Sequence, residues 1–175
     1  LLLSIAAPLG AIDILWFHLY RFRLYDHPSA RCETVTHILR GLLFAVGAFV
    51  LARYRPEGAW FWIIAALFAA DFVNNVCDVL VEQKSRTPFG GLPRLEYVIH
   101  IVGSTFAGAV GLAFVATSWS TATLPTALTR ADGVPLWLAW NGTAIAAGAL
   151  MLTIFEASLF VRSIIRASVA RELTA

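Results

Sequence analysis

The sequence predicts an all-α integral membrane protein with five transmembrane helices, and three observations carry that expectation. Of 175 residues, 59% are hydrophobic and 14% charged, against roughly half and a quarter in soluble domains. Mean hydropathy is +0.74. Five stretches also reach the roughly 20 apolar residues that a helix needs to cross a bilayer. A soluble helical bundle would need polar outer faces, and these stretches have none.

The first element runs from Leu2 to Tyr20. It has no basic leader and it holds Asp13, so a span rather than a signal peptide is expected. The breaker "DHPSA" separates it from the second, Glu33 to Ala52, and "RPEG" separates that from the third, Ala59 to Val81. "SRTPFGGLP" precedes the fourth, Leu95 to Trp119, and "TATLPTALTRADGVP" precedes the fifth, Pro135 to Val161. Such Pro/Gly clusters end helices, and each span must satisfy its own backbone, so helical hairpins follow. A single transmembrane domain over residues 1–175 is expected.

Basic residues set the orientation. Arg21, Arg23 and Arg31 fall in the first connection, Lys84, Arg86 and Arg94 in the third, and Arg162, Arg166 and Arg171 in the tail. The other side has only Arg53, Arg55 and Arg130. The positive-inside rule then puts the N-terminus outside and the C-terminus in the cytoplasm, as expected of a bacterial inner-membrane protein. Trp60, Trp62, Trp119 and Trp137 fall at the outer interface. Cys32 and Cys77 form no framework and are expected as small packing residues. His27 is expected as a solvated loop residue.

A short pattern recurs. Arg31, Glu33 and His37 repeat as Arg94, Glu96 and His100, each set followed by Ile and each preceded by a helix carrying Ala-x-Asp, at Asp13 and Asp71. The pattern implies two parallel hairpin repeats, about residues 11–52 and 69–119, forming a four-helix bundle. The helix over 135–161 is an addition to it.

The acids are the informative feature. Asp13, Glu33, Asp71, Asp78, Glu82, Glu96 and Glu156 lie within or at the ends of spans, and Arg40 is the comparably buried cation expected among them. A charge at a helix centre costs about 2.5–3.5 kcal/mol on insertion scales. With the orientation above, most of these acids share the cytoplasmic half with His18, His37 and His100. Residues four apart share a helical face, so Glu33 with His37 and Glu96 with His100 make matched stripes. Asp13 and His18, five apart, point about 140° away from each other, so at most one is expected to aim at the site.

Carboxylates and imidazoles on facing helices are the ligands of mono- and di-metal centres. Di-metal carboxylate bundles use Glu-x-x-His motifs, which these stripes approach in ligand type but not in spacing. The expected set is Glu33, His37, Asp78, Glu96 and His100, completed from Asp13, His18, Asp71, Glu82 or Glu156. Arg40 and Asn75 are expected behind them, holding carboxylates in place. Arg31 and Arg94, beside the motifs, are read first as topogenic charge; the functional alternative for them is recruitment of an anionic lipid headgroup or a phosphate-bearing substrate.

Four functions fit. The first is a membrane oxidoreductase of hydroxylase or desaturase type, with one or two Fe, Zn or Mn ions and a lipid-like substrate. A zinc-dependent hydrolase is the second. A b-type cytochrome subunit with His37 and His100 as axial haem ligands is the third. A transporter of metal ions or protons is the fourth. There is no phosphate-binding glycine loop and no Ser-x-x-Lys or Gly-x-Ser-x-Gly nucleophile. Nucleic acid is not expected as a partner. The stripe Gly103, Ala107, Gly111 is expected to pack against a neighbour, as a homo-oligomer or within a larger membrane complex.

Overall fold

The structure, a computed structural model, describes residues 1–173, so the domain expected over 1–175 is followed to Leu173. Five helices are long and apolar enough to cross a membrane. Helix α1 spans Leu2–Ile12 and continues as a π-helix over Asp13–Arg21. Helix α2 spans Arg31–Arg53, α3 Ala59–Arg86, α4 Arg94–Ser118 and α5 Leu136–Glu172. The most apolar windows have mean hydropathy of 1.7–2.0, yet only 17–28% of their residues are buried inside the protein. Apolar side chains such as Phe72, Leu80, Leu112 and Met151 face outward, as a lipid solvent permits and water does not.

The helix ends differ from the sequence expectation in a consistent direction. Helix α3 runs past Val81 to Arg86 and α5 runs past Val161 to Glu172. Hydropathy finds where apolar sequence ends, whereas the backbone ladder continues until something stops it. Past α3 the chain tightens into a 3-10 turn over Thr87–Phe89, where Pro88 has no N–H to continue the ladder, and Gly90 at φ +83° ends it. Two connections read as loops contain short strands, β1 at Tyr54–Glu57 and β2 at Ala127–Arg130. They pair antiparallel with Tyr54 opposite Arg130 and Glu57 opposite Ala127. At the turn into α3, Gly58 has φ +56°, and a Cβ there would lie 2.6 Å from the Leu124 carbonyl oxygen, so glycine is required.

Helix α1 packs chiefly on α4, and α2 on α3 and α5. The α2–α5 contact is the most extensive, so the fifth helix is a wall of the bundle rather than an addition to it. A Cβ on Gly142 of α5 would meet Ala52 of α2 at 2.6 Å, which shows how closely these backbones approach. The stripe expected to meet a neighbour is used internally instead: Gly111 packs on the Phe68 ring and Gly103 faces Leu9. Both cysteines are exposed and so do not pack the interior. His27 packs edge-on against Phe89 with ring centres 4.7 Å apart, rather than standing free in solvent.

The bundle has two unlike ends. At the sheet end Phe61, Ile64 and Phe114 form an apolar cluster, flanked by Val50, Phe68 and Val115. Trp60, Trp62, Trp119, Trp137 and Trp140 are partly or largely exposed around it. The opposite end, where residues 22–30 and 87–93 connect the helices, holds nearly all the buried charge.

Candidate metal centre

All five helices contribute to this second end. The π-helix of α1 supplies Asp13 and His18. Its i→i+5 ladder places residues five apart on one face, so both side chains are buried toward the centre. An α-helix would have turned one of them away. Helix α2 supplies Glu33 from its first turn and His37 one turn later, and α4 supplies Glu96 and His100 in the same way. Helix α3 supplies Asp78, Glu82, Ser85 and Arg86, and α5 supplies Glu156. All of these residues are buried, with Glu33, Arg86 and Glu96 wholly inaccessible.

Three overlapping groups converge, namely Asp13–His18–His37, His37–Asp78–His100 and His18–Glu33–Glu96. Within each group the candidate ligand atoms lie within 4.8 Å of one another. Asp78 Oδ2 is 3.1 Å from His37 Nε2 and 3.3 Å from His100 Nε2. His100 Nδ1, on the other side of that ring, is 3.6 Å from Glu82 Oε1 and 3.8 Å from Asp13 Oδ2. His18 Nε2 is 3.6 Å from Glu96 Oε1, 3.8 Å from Glu33 Oε1 and 4.0 Å from Asp13 Oδ2. An ion bound at 2.0–2.2 Å from each ligand sets neighbouring ligands about 3–3.6 Å apart. The shorter separations match that spacing, and the longer ones exceed it by a few tenths of an ångström.

The contacts are poor as hydrogen bonds. His37 Nε2, both nitrogens of His100, Asp78 Oδ2, Glu82 Oε1 and Glu96 Oε2 are buried with no hydrogen-bond partner among the described residues. Buried polar atoms are rarely left so. The second oxygens of Asp78 and Glu33, by contrast, are satisfied: Thr36 Oγ1 donates to Asp78 Oδ1 at 2.5 Å, and Ser85 Oγ donates to Glu33 Oε2. Asn74 Nδ2 in turn donates to the Thr36 carbonyl at 2.8 Å. Supports of this kind orient ligands in metal sites.

Arg86 is the residue that sequence reasoning misplaced. The sequence puts it among the topogenic charges of the third connection, whereas it lies fully buried at the centre. Its guanidinium meets Glu33 Oε1 at 2.8 Å through Nη1 and Glu96 Oε1 through Nη2, and Nη2 is 3.2 Å from His18 Nε2. The available signal was periodicity, because Asp78, Glu82 and Arg86 are successive fourth residues on one face of α3. Even so, six buried carboxylates (Asp13, Glu33, Asp78, Glu82, Glu96 and Glu156) face one guanidinium. With neutral imidazoles the centre carries a formal −5, and two divalent ions would reduce it to −1.

Other expected residues lie elsewhere. Asp71 is only half-buried and lines a separate pocket with Leu67 and Phe68, about 10 Å of helix rise from Asp78. Arg40 makes no direct ion pair with a carboxylate among the described residues: its Nη1 donates to Asn75 Oδ1 at 2.6 Å and its Nη2 to Ser104 Oγ at 2.9 Å. Asn75 therefore serves Arg40 and not a ligand. Arg31 is half-buried and Arg94 exposed at the surface of this end.

In comparisons with known proteins, no family model, curated protein or solved structure matches the chain.

Proposed function

We propose that the chain is an integral membrane metalloenzyme whose centre holds two transition-metal ions. One lies among His37, Asp78 and His100, with Asp13 and Glu82 in reach. The other lies among His18, Glu33 and Glu96, where Arg86 shares the carboxylates. The observation that carries this reading is the convergence of three buried ligand groups, in one of which His37 Nε2, Asp78 Oδ2 and His100 Nε2 face one another without hydrogen-bond partners among the described residues. The distribution of basic residues supports a centre on the cytoplasmic side, with the N-terminus outside, as in a bacterial inner membrane. The two Glu/His stripes, one from each proposed parallel repeat, would then face each other across the centre.

Carboxylates mixed with imidazoles suit iron, zinc or manganese. Iron makes the chain an oxidoreductase on a lipid-like substrate. Hydroxylation there consumes a C–H bond, O2, two electrons from an external carrier and two protons, and yields an alcohol and water. The burial of Glu33, Glu96 and Arg86 favours this chemistry over zinc-dependent hydrolysis, which must admit water to the ions. Haem ligation by His37 and His100 is less well supported, because Asp78 Oδ2 stands between their Nε2 atoms where a macrocycle would pass. Conduction is disfavoured by the apolar cluster at the sheet end.

Elemental analysis of the purified protein tests the proposal. About two equivalents of iron, zinc or manganese are expected per chain, together with near-complete loss in the His37→Ala/His100→Ala double variant. Metal-free protein, or unchanged content in that variant, defeats it.

A further inference from the structure

The centre is closed on one side and open on the other. Toward the connections, Phe22 sits 5.3 Å from the Arg86 guanidinium and 5.2 Å from the Phe89 ring. The wholly buried Phe17 stacks on Phe22 at 6.5 Å. These rings cover Arg86 and the two glutamates it holds. On the far side of the imidazoles lies a cavity of about 300 Å³ with Asp13, His37 and His100 at its floor. This volume is at the lower end of the range for small-molecule sites. The walls are apolar, among them Phe44, Ile145 and Leu152, apart from Arg40, Ser104 and Thr153.

The cavity reaches the outer surface at Gly10 of α1 and Gly148 of α5. Both line it, both are exposed, and a Cβ built on either meets no atom within 4 Å. Gly10 is three residues, about 4.5 Å of helix rise, from Asp13 toward the sheet end. Both glycines lie within helices apolar enough to cross a bilayer. The mouth therefore faces lipid tails, below the depth of headgroups. Two nitrogens of His100, buried to 94% of their residue's surface and without hydrogen-bond partners, stand at the other end.

We propose that this cavity takes a single hydrocarbon chain of a membrane lipid. The chain enters sideways from the bilayer between α1 and α5 and presents one of its carbons to the His37–His100–Asp13 floor. A headgroup is excluded, because at this depth it would leave its polar atoms without water or partners. Arg40, tied to Asn75 and Ser104, is a fixed piece of wall rather than a free counter-ion. The inference rests on the metal reading for what the chain meets at the floor, and on the cavity alone for its binding.

Photocrosslinking tests it, with the full chain in vesicles of phosphatidylcholine that carries a diazirine on one acyl chain. Wild type is expected to label Gly103, Ser104 and Ala107 on the inner wall as well as Leu112, which is exposed on the outside of α4. Gly10→Leu and Gly148→Leu each place a side chain in the mouth from a different helix. In either variant inner-wall labelling should fall by about tenfold, the loss that denying burial to two methylenes would give. Leu112 labelling should not change. If Leu112 is labelled but the inner wall is not, or if both glycine variants leave inner-wall labelling intact, the inference is overturned. Metal content is measured on the same samples. Inner-wall labelling in metal-free protein upholds the chain site while removing the metal reading, and metal-loaded protein without inner-wall labelling does the reverse.

Discussion

The two ends of the bundle are built from the same five helices and solve opposite problems. At the sheet end Phe61, Ile64 and Phe114 fill the interior, and polar groups such as Thr121 bond to nearby backbone. At the connection end the interior is filled with acids, imidazoles and one guanidinium, many of whose facing atoms lack hydrogen-bond partners. The connection end pays a large desolvation cost, which the proposed metal ions would offset. The difference teaches that burial of charge, not hydropathy, sets the candidate site apart from the rest of the bundle.

The largest effect should come from removing the buried cation. Arg86→Met leaves Glu33 and Glu96 uncompensated and should cost about 3–5 kcal/mol, read as denaturant unfolding in detergent. Arg86→Lys keeps the charge without the planar fork and should fall between the two. If Arg86→Met unfolds like wild type, the contrast between the ends is broken.

Phe114→Ala opens a hole in the other end and should cost about 3 kcal/mol, with metal content unchanged. Loss of metal in that variant would show that the ends are coupled and not separate. Thr36→Val removes the donor on Asp78 Oδ1 and should weaken metal binding about 10–100-fold, measured by competition with a chelator. Trp140→Ala removes the ring that lies 4.4 Å from the Arg53 guanidinium. Its cost should be smallest, about 0.5–1 kcal/mol, and visible only in thermal melting.

Much of this contrast was legible in the sequence, and the failures have physical reasons. Five helices follow from hydropathy, because a helix in oil must be apolar along its length. The stripes Glu33/His37 and Glu96/His100 follow from a spacing of four, and the structure brings both pairs into the centre. Asp13 and His18 could not both be placed there, because an α-helical period was assumed where the backbone widens to a π-helix. Arg86 was missed because α3 was ended at the last apolar residue. The pairing of β1 with β2 joins Tyr54 to Arg130, 76 residues later, and no local signal marks it. Asp71 matches Asp13 in sequence but not in place, since periodicity alone does not say how deep a side chain sits.

Anomalous scattering from crystals of metal-loaded protein, collected at the absorption edge of the metal that elemental analysis identifies, tests the central claim most directly. The account predicts two peaks, one about 2.0–2.2 Å from ligand atoms of His37, Asp78 and His100 and the other at the same distance from those of His18, Glu33 and Glu96. A map with no peak at either position, in which these acids meet only Arg86, the imidazoles and ordered water, would contradict it.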